Sequence, residues 1–325
     1  MTNSIDSSLT KLILVVLLLC LGAGCSQQDA AETAAPGKPR IALIMKSLAN
    51  EFFINMANGA KSHQAQNAEN YELLVNGIKN ESDLSQQVAL VEQMMASAVD
   101  AIVIAPADSK ALVPVLKRAR DAGIVVINID NKLDEAILKD SGVSIPFVGP
   151  DNREGARMVG DYLAASLSAN DQVAIIGGIE TAFNAQQRQQ GFTEAMENHR
   201  VDVVSVQSGE WEQARASVVA AALITEYPKL KALLCSNDNM AMGAAAAIRQ
   251  AGKTGDILVV GFDNIKATHP LIRDDAMLAT ADQYADKLAV FGIEFALRLL
   301  DGASAPKDRK TPVDLVTKQT LATLK

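Results

Sequence analysis

The chain is 325 residues long and 49% hydrophobic, enough to bury one large core or two ordinary ones. Its formal net charge of −8 and pI of about 5.0 exclude a nucleic-acid surface, which needs a basic stripe. Three cysteines (20, 25 and 235) without a CxxC, and three scattered histidines (His63, His199, His269), give no metal-ligand cluster, so no metal and no other cofactor is expected.

The amino terminus reads as a targeting segment. Leu12–Leu21 is an apolar run behind Lys11, too short for a stable membrane span. It ends in Gly22-Ala23-Gly24-Cys25, the small residues a signal peptidase needs followed by a cysteine. This resembles the lipobox of bacterial lipoproteins, with Gly22 where leucine is usual, and implies lipidation at Cys25. Residues 1–24 are therefore expected to be a signal peptide and residues 25–37, poor in apolar side chains, a lipid-anchored tether. Cleavage removes Asp6 and Lys11, so the mature charge stays at −8. Cys235, in the run Ala232-Leu233-Leu234-Cys235, reads as a small buried hydrophobe.

From residue 41 the pattern alternates. The unbroken apolar run Ile41–Met45 predicts a strand buried on both faces, and Phe53–Ala65 a helix with Phe53, Met56, Ala57 and Ala60 on one stripe. Strand Leu73–Val75, helix Ser82–Ala98, strand Ala101–Ala105, helix Leu112–Ala122 and strand Ile124–Ile129 follow. The pattern restarts near Val148-Gly149-Pro150-Asp151 with helix Asn152–Ser168, strand Val173–Ile176, helix Gln186–Asn198 and strand Val203–Val206. Helix Trp211–Glu226, strand Ala232–Cys235, helix Met240–Ala251 and strand Ile257–Phe262 complete a second series. A short strand Leu278–Ala281, a long helix Tyr284–Leu300, a polar loop Asp301–Lys310 and a strand Val313–Val316 close the chain. The fold class is α/β, with two similar doubly wound, Rossmann-like parallel-sheet domains.

Ligands of open α/β sheets bind beyond the carboxyl ends of the strands. The turns there carry Asn50, Phe52 and Phe53; Asp130; Arg188; Trp211; Asn237 and Asp238; Asp263; and Gln283. Planar polar groups bridge adjacent hydroxyls and flat aromatics cover C–H faces, which is what a polyhydroxylated ring requires. Each residue also has a plainer use. Asp263, Asn237 or Asp238 could cap helices, Arg188 could be a surface charge, and Trp211, Phe52 and Phe53 could be packing residues.

Five segments together resemble the type I periplasmic sugar-binding proteins of the ribose/allose-binding branch, over nearly the whole mature chain. They are Ser47–Phe53, Val126–Asp130, Ser236–Gly243, Val259–Asp263 and Ala279–Gln283. The resemblance implies that Asn50, Phe52, Phe53 and Asp130 meet the sugar from one domain. Arg188, Trp211, Asn237 and Asp263 would meet it from the other, with Gln283 at a crossover. Asp130 is followed by Asn131 and Lys132 where ribose binders carry arginine, and Lys46 stands before the aromatic turn as in allose binders. Lys46 and Asn184 therefore join the candidate set.

Three hinge crossings are implied near Gly149–Asp151, Thr280–Gln283 and Pro312–Asp314. They divide the chain into an N-terminal sugar-binding domain of residues 38–149 plus 284–313 and a C-terminal one of 150–283 plus 314–325. The implied function is an exported, monomeric solute-binding protein, periplasmic or at the cell surface. It would deliver a monosaccharide or polyol to an ABC importer through its permease and touch the membrane only through its lipid. A sensor presenting the closed form to a membrane receptor or sensor kinase is the alternative. A transcription regulator on the same core would need a helix-turn-helix where the export signal stands. No GxGxxG, P-loop or GxSxG is present, so no catalytic residue is assigned and an enzyme is not expected. Asp130 and Asp263 balance Arg188 and Lys46, which suits a neutral ligand over a sugar acid.

Overall fold

The structure, a computed structural model, describes residues 37–304 and 308–323. The signal peptide, Cys25 and nearly all of the tether lie outside the described residues.

The first sheet has strand order β11-β5-β4-β3-β1-β2, every neighbouring pair parallel. Its strands are β1 (Arg40–Ser47), β2 (Glu72–Ile78), β3 (Ala101–Ile104), β4 (Val125–Ile129), β5 (Phe147–Pro150) and β11 (Arg309–Thr311). Successive side chains of a strand point to opposite faces. Ile41, Leu43 and Met45 of β1 accordingly enter one core with Val103, Ile127 and Ile129. Ala42 and Ile44 enter the opposite core with Ile102, Ile104 and Val126. A strand fed into two cores has no room for polar alternation, which is why these runs are unbroken.

Helices α1 (Glu51–Gln66), α2 (Leu84–Ala96), α3 (Val113–Asp121) and α4 (Glu135–Asp140) belong to this lobe. So does α10 (Ala285–Leu300), whose Leu288, Ala289 and Ile293 share the first core with α1. The two helices approach so closely that a Cβ on Gly59 would lie 2.0 Å from the Asp286 carbonyl oxygen.

The second sheet repeats the plan in the order β12-β10-β9-β8-β6-β7, parallel except where β12 runs antiparallel to β10. Its strands are β6 (Gln172–Gly177), β7 (Asp202–Ser208), β8 (Leu230–Cys235), β9 (Leu258–Val260), β10 (Ala279–Asp282) and β12 (Asp314–Thr317). Around it lie α5 (Asn152–Ala164), α6 (Phe183–Asn198), α7 (Gln213–Glu226), α8 (Asp238–Gln250), α9 (His269–Arg273) and α11 (Lys318–Leu321). Cys235 packs there as a free, buried thiol. The chain crosses between sheets three times: from β5 into α5, from β10 into α10, and from β11 into β12.

Several elements differ from the sequence expectation. Helix α6 begins at Phe183 rather than Gln186, and its N-cap Ala182 offers no capping side chain. Helix α7 begins at Gln213, leaving Trp211 in the preceding turn. Within the expected 301–310 loop, Arg309 and Lys310 begin β11, an edge strand without an apolar signature.

Candidate ligand-binding site

β1 delivers the chain into a turn in which Asn50 N–H donates to the Ser47 carbonyl at 3.1 Å. Asn50 then caps α1, its Oδ1 accepting the Phe52 N–H at 3.0 Å. This fixes the amide, so Nδ2 is the end that donates, at 3.2 Å, to Glu81 Oε1. Phe52 and Phe53, buried and edge-to-face at 5.1 Å, are both core of the first lobe and wall of a cavity. Lys46 Nζ lies 5.8 Å from the Phe53 ring centroid, 5.6 Å from that of Trp211, and 3.2 Å from Asp130 Oδ2.

From the second lobe Arg188 enters, only 2% exposed. Its Nε donates to Asn152 Oδ1 and its Nη1 to the Ser236 carbonyl, each at 2.8 Å. Its guanidinium stacks 3.8 Å over Phe262, and Nη1 lies 3.5 Å from Asp263 Oδ1. That oxygen also accepts from Gln283 Nε2 at 2.7 Å. Asn237 caps α8 through the Met240 N–H at 2.9 Å and donates to the Trp211 carbonyl at 3.2 Å. The capping use foreseen for it therefore coexists with a place in the cavity wall.

Lys46, Asn50, Phe52, Phe53, Asp130, Asn184, Arg188, Trp211, Asn237, Asp263 and Gln283 all line this one cavity. Five of its buried polar atoms find no hydrogen-bond partner among the described residues: Asp130 Oδ2, Asn184 Oδ1, Arg188 Nη2, Trp211 Nε1 and Gln283 Oε1. Lys46 is near enough to Asp130 for an ion pair but off the hydrogen-bond direction. Buried polar groups are ordinarily satisfied, so five orphans around one cavity mark a place for a many-donor, many-acceptor guest.

Backbone strain collects at the same place. Asp130 (φ 63°), Trp211 (φ 67°) and Asp263 (φ 125°) lie at positive φ, as does Tyr284 (φ 57°) directly after Gln283. Burial pushes Asp263 well above the usual carboxylate range, opposed by Arg188. Burial likewise pulls the Arg188 guanidinium down, opposed by Asp263, Asp130 and Asp238. A guanidinium keeps its proton in proteins, so Arg188 stays a cation.

The lobes also touch beyond the cavity. Glu51, at the start of α1, accepts the Lys266 N–H at 3.0 Å and the Ala267 N–H at 3.2 Å from the other lobe. Ser109 Oγ accepts the Phe183 N–H at 2.9 Å, and Asn131 Oδ1 the Asn184 N–H at 3.2 Å.

Residues 41–304 match the profile of the periplasmic binding protein domain. The chain belongs to that family. Its two six-stranded sheets and three crossings are the type I architecture of periplasmic binding proteins. It is 54% identical to the D-ribose/D-allose-binding protein of Pseudomonas aeruginosa, over 95% of this chain and 98% of that one. A solved ABC transporter solute-binding protein of Burkholderia multivorans, with an unknown ligand built as α-D-erythrofuranose, superposes with a TM-score of 0.85 at 59% identity. The match covers 86% of this chain and 100% of that one. An Actinobacillus succinogenes periplasmic solute-binding protein with bound D-allose gives a TM-score of 0.84 at 34% identity, covering 88% and 100%.

Two residues of this periplasmic binding protein correct the sequence reading of its strand ends. Asp238 does not line the cavity; it is wholly buried and accepts from Thr280 Oγ1 at 2.7 Å, Ile265 N–H at 3.0 Å and Thr268 Oγ1 at 3.2 Å. Glu81, which sequence reasoning missed, does line it. Its signal was the turn at the carboxyl end of β2, where Asn80-Glu81-Ser82 precedes the α2 cap Asp83.

Proposed function

We propose that the protein captures a neutral monosaccharide or polyol in this cavity and hands it to an ABC importer. The observation that carries the reading is the convergence of five unpartnered buried polar atoms with the aromatic faces of Phe52, Phe53 and Trp211. Asn50, Phe52, Phe53, Lys46 and Asp130 hold the ring from a lobe of residues 38–149 plus 284–313. Asn184, Arg188, Trp211, Asn237 and Asp263 hold it from a lobe of 150–283 plus 314–325, and Gln283 from the crossing between them. Relatives that bind D-ribose, D-allose or both, by their names, support the ligand class. The set contains hydrogen-bond acceptors, donors and flat faces and needs no catalytic role, so we read it as a binder and not an enzyme.

Closure of the lobes around the ligand presents a shape for the importer's permease to recognise. The protein acts as a monomer outside the cytoplasmic membrane, in the periplasm or at the cell surface, tethered through a lipid on Cys25. Mass spectrometry of the membrane fraction should find a diacylated Cys25; an unmodified, soluble mature terminus overturns the anchor alone.

A thermal-shift panel of pentoses, hexoses, inositols, alditols and uronic acids tests the ligand class. A cognate sugar at a thousandfold excess over Kd adds about 4 kcal/mol to stability. Shifts with uronic acids only, or with nothing in the panel, overturn the reading.

A further inference from the structure

Glu81 sits in the 79–83 turn between β2 and α2, 3% exposed. The turn is tied on both sides. Asn80 Oδ1 accepts the Ser82 N–H and hydroxyl, each at 3.1 Å, and Ser47 Oγ donates to the Lys79 carbonyl at 3.0 Å. Asp83 caps α2 through the Gln86 N–H at 3.1 Å. Nothing in this arrangement supplies Glu81 with the partners a buried carboxylate needs. Among the described residues its hydrogen-bond donor is Asn50 Nδ2, at 3.2 Å to Oε1. Lys46 faces it but lies 3.2 Å from Asp130, so one ammonium is shared between two carboxylates. Asp130 of the first lobe and Glu212 of the second face it as like charges. Glu81 lines the cavity, and among the described residues a single hydrogen bond, from Asn50, is made to its carboxylate.

We propose that Glu81 is a specificity-determining residue of the cleft, accepting a hydroxyl of the bound sugar and rejecting anionic sugars. This rests on the sugar reading above and deepens it. With Glu81 the lining holds three acidic groups (Asp130, Asp263, Glu81) against two cations (Lys46, Arg188), so the balance is one negative once all three are ionised. A carboxylate or phosphate on the ligand meets that excess in a site with little water to screen it. A hydroxyl instead supplies the missing donor, and charge-assisted hydrogen bonds of this kind are about twice as strong as neutral ones. Burial, against the pull of Lys46 and Asn50, pushes Glu81 up to about 7, and a donated hydroxyl draws it back down.

Glu81→Gln keeps the shape and the acceptor for Asn50 while removing the charge; Glu81→Ala removes the group. Calorimetric titration with D-allose, D-ribose and D-glucuronate should be run on wild type, both variants and Arg188→Ala. We expect both Glu81 variants to bind the preferred neutral sugar about tenfold or more weakly, with unliganded melting temperatures at or above wild type. The D-glucuronate affinity relative to that sugar should rise at least about tenfold in Glu81→Gln. Neutral-sugar affinities of both variants within about twofold of wild type, with Arg188→Ala impaired, overturn the role of Glu81 alone. A wild type that binds neither neutral sugar overturns the sugar reading and this inference with it.

Discussion

Arg188 commits Nε to Asn152 and Nη1 to Ser236, which holds the guanidinium plane and leaves Nη2 without a partner among the described residues. Truncating it strands Asp263, and truncating Asp263 leaves Arg188 without its carboxylate in a buried site. Arg188→Ala and Asp263→Ala should each cost on the order of 2–4 kcal/mol of sugar affinity, read by calorimetry. Glu81 makes a separate prediction from pH. Its value in the folded protein, about 7, lies above the ordinary 4.5, so its contribution to stability is full below about 4.5 and is lost as pH rises through about 7. Glu81→Gln escapes that loss. Its melting temperature should draw ahead of the wild type between pH 5 and pH 8, by an equivalent of at most a few kcal/mol. A constant gap across that range would show that Glu81 does not titrate there.

Among the elements, those that bury both faces were legible because their sequence has no choice. β1 and β3 each need apolar residues at consecutive positions to feed two cores, and β4 departs from this only at the buried, hydrogen-bonded Asn128. The starts of α6 and α7 were not legible, since Ala182 and Glu212 make no side-chain cap and the signal that fixes a helix start is absent. β11 was hidden for another reason: Arg309 and Lys310 are the charged residues an exposed edge strand carries. The candidate site was legible wherever a side chain at a strand end was chemically conspicuous. Asp238 was as conspicuous as its neighbours yet serves β10 and the 265–268 turn, and its direction is a matter of packing no spacing reveals. Trp211 depends on such packing too. A Cβ on Gly178, just beyond β6, would lie 2.1 Å from its ring, so only glycine lets the indole lie flat there. Gly178→Ala should displace Trp211, weaken sugar binding about tenfold, and abolish any ligand-induced change in tryptophan emission. A variant with wild-type affinity and emission would contradict this placement.

The whole molecule is two lobes whose contacts across the cleft are of two kinds. One kind lines the cavity; the other lies beyond it, at Glu51 with the Lys266 and Ala267 backbone, at Ser109 with Phe183 and at Asn131 with Asn184. A ligand shifts closure only by its differential affinity, so contacts of the second kind set the starting point of the equilibrium. Glu51→Ala should weaken sugar binding roughly fivefold, about 1 kcal/mol for two half-exposed charge-assisted bonds, without touching the ligand. Small-angle scattering of the unliganded variant should give a particle at least as extended as wild type, and a more compact one would contradict the latch.

That latch also determines how quiet the protein is when it carries nothing. Every contact that favours closing without sugar enlarges the pool of cargo-free copies shaped like loaded ones, and an importer that reads only shape would dock and turn over on them. Strengthening the Glu51 contact therefore trades background firing for sensitivity at low sugar, so this carboxylate is one of the few groups that tune the noise floor of the uptake signal.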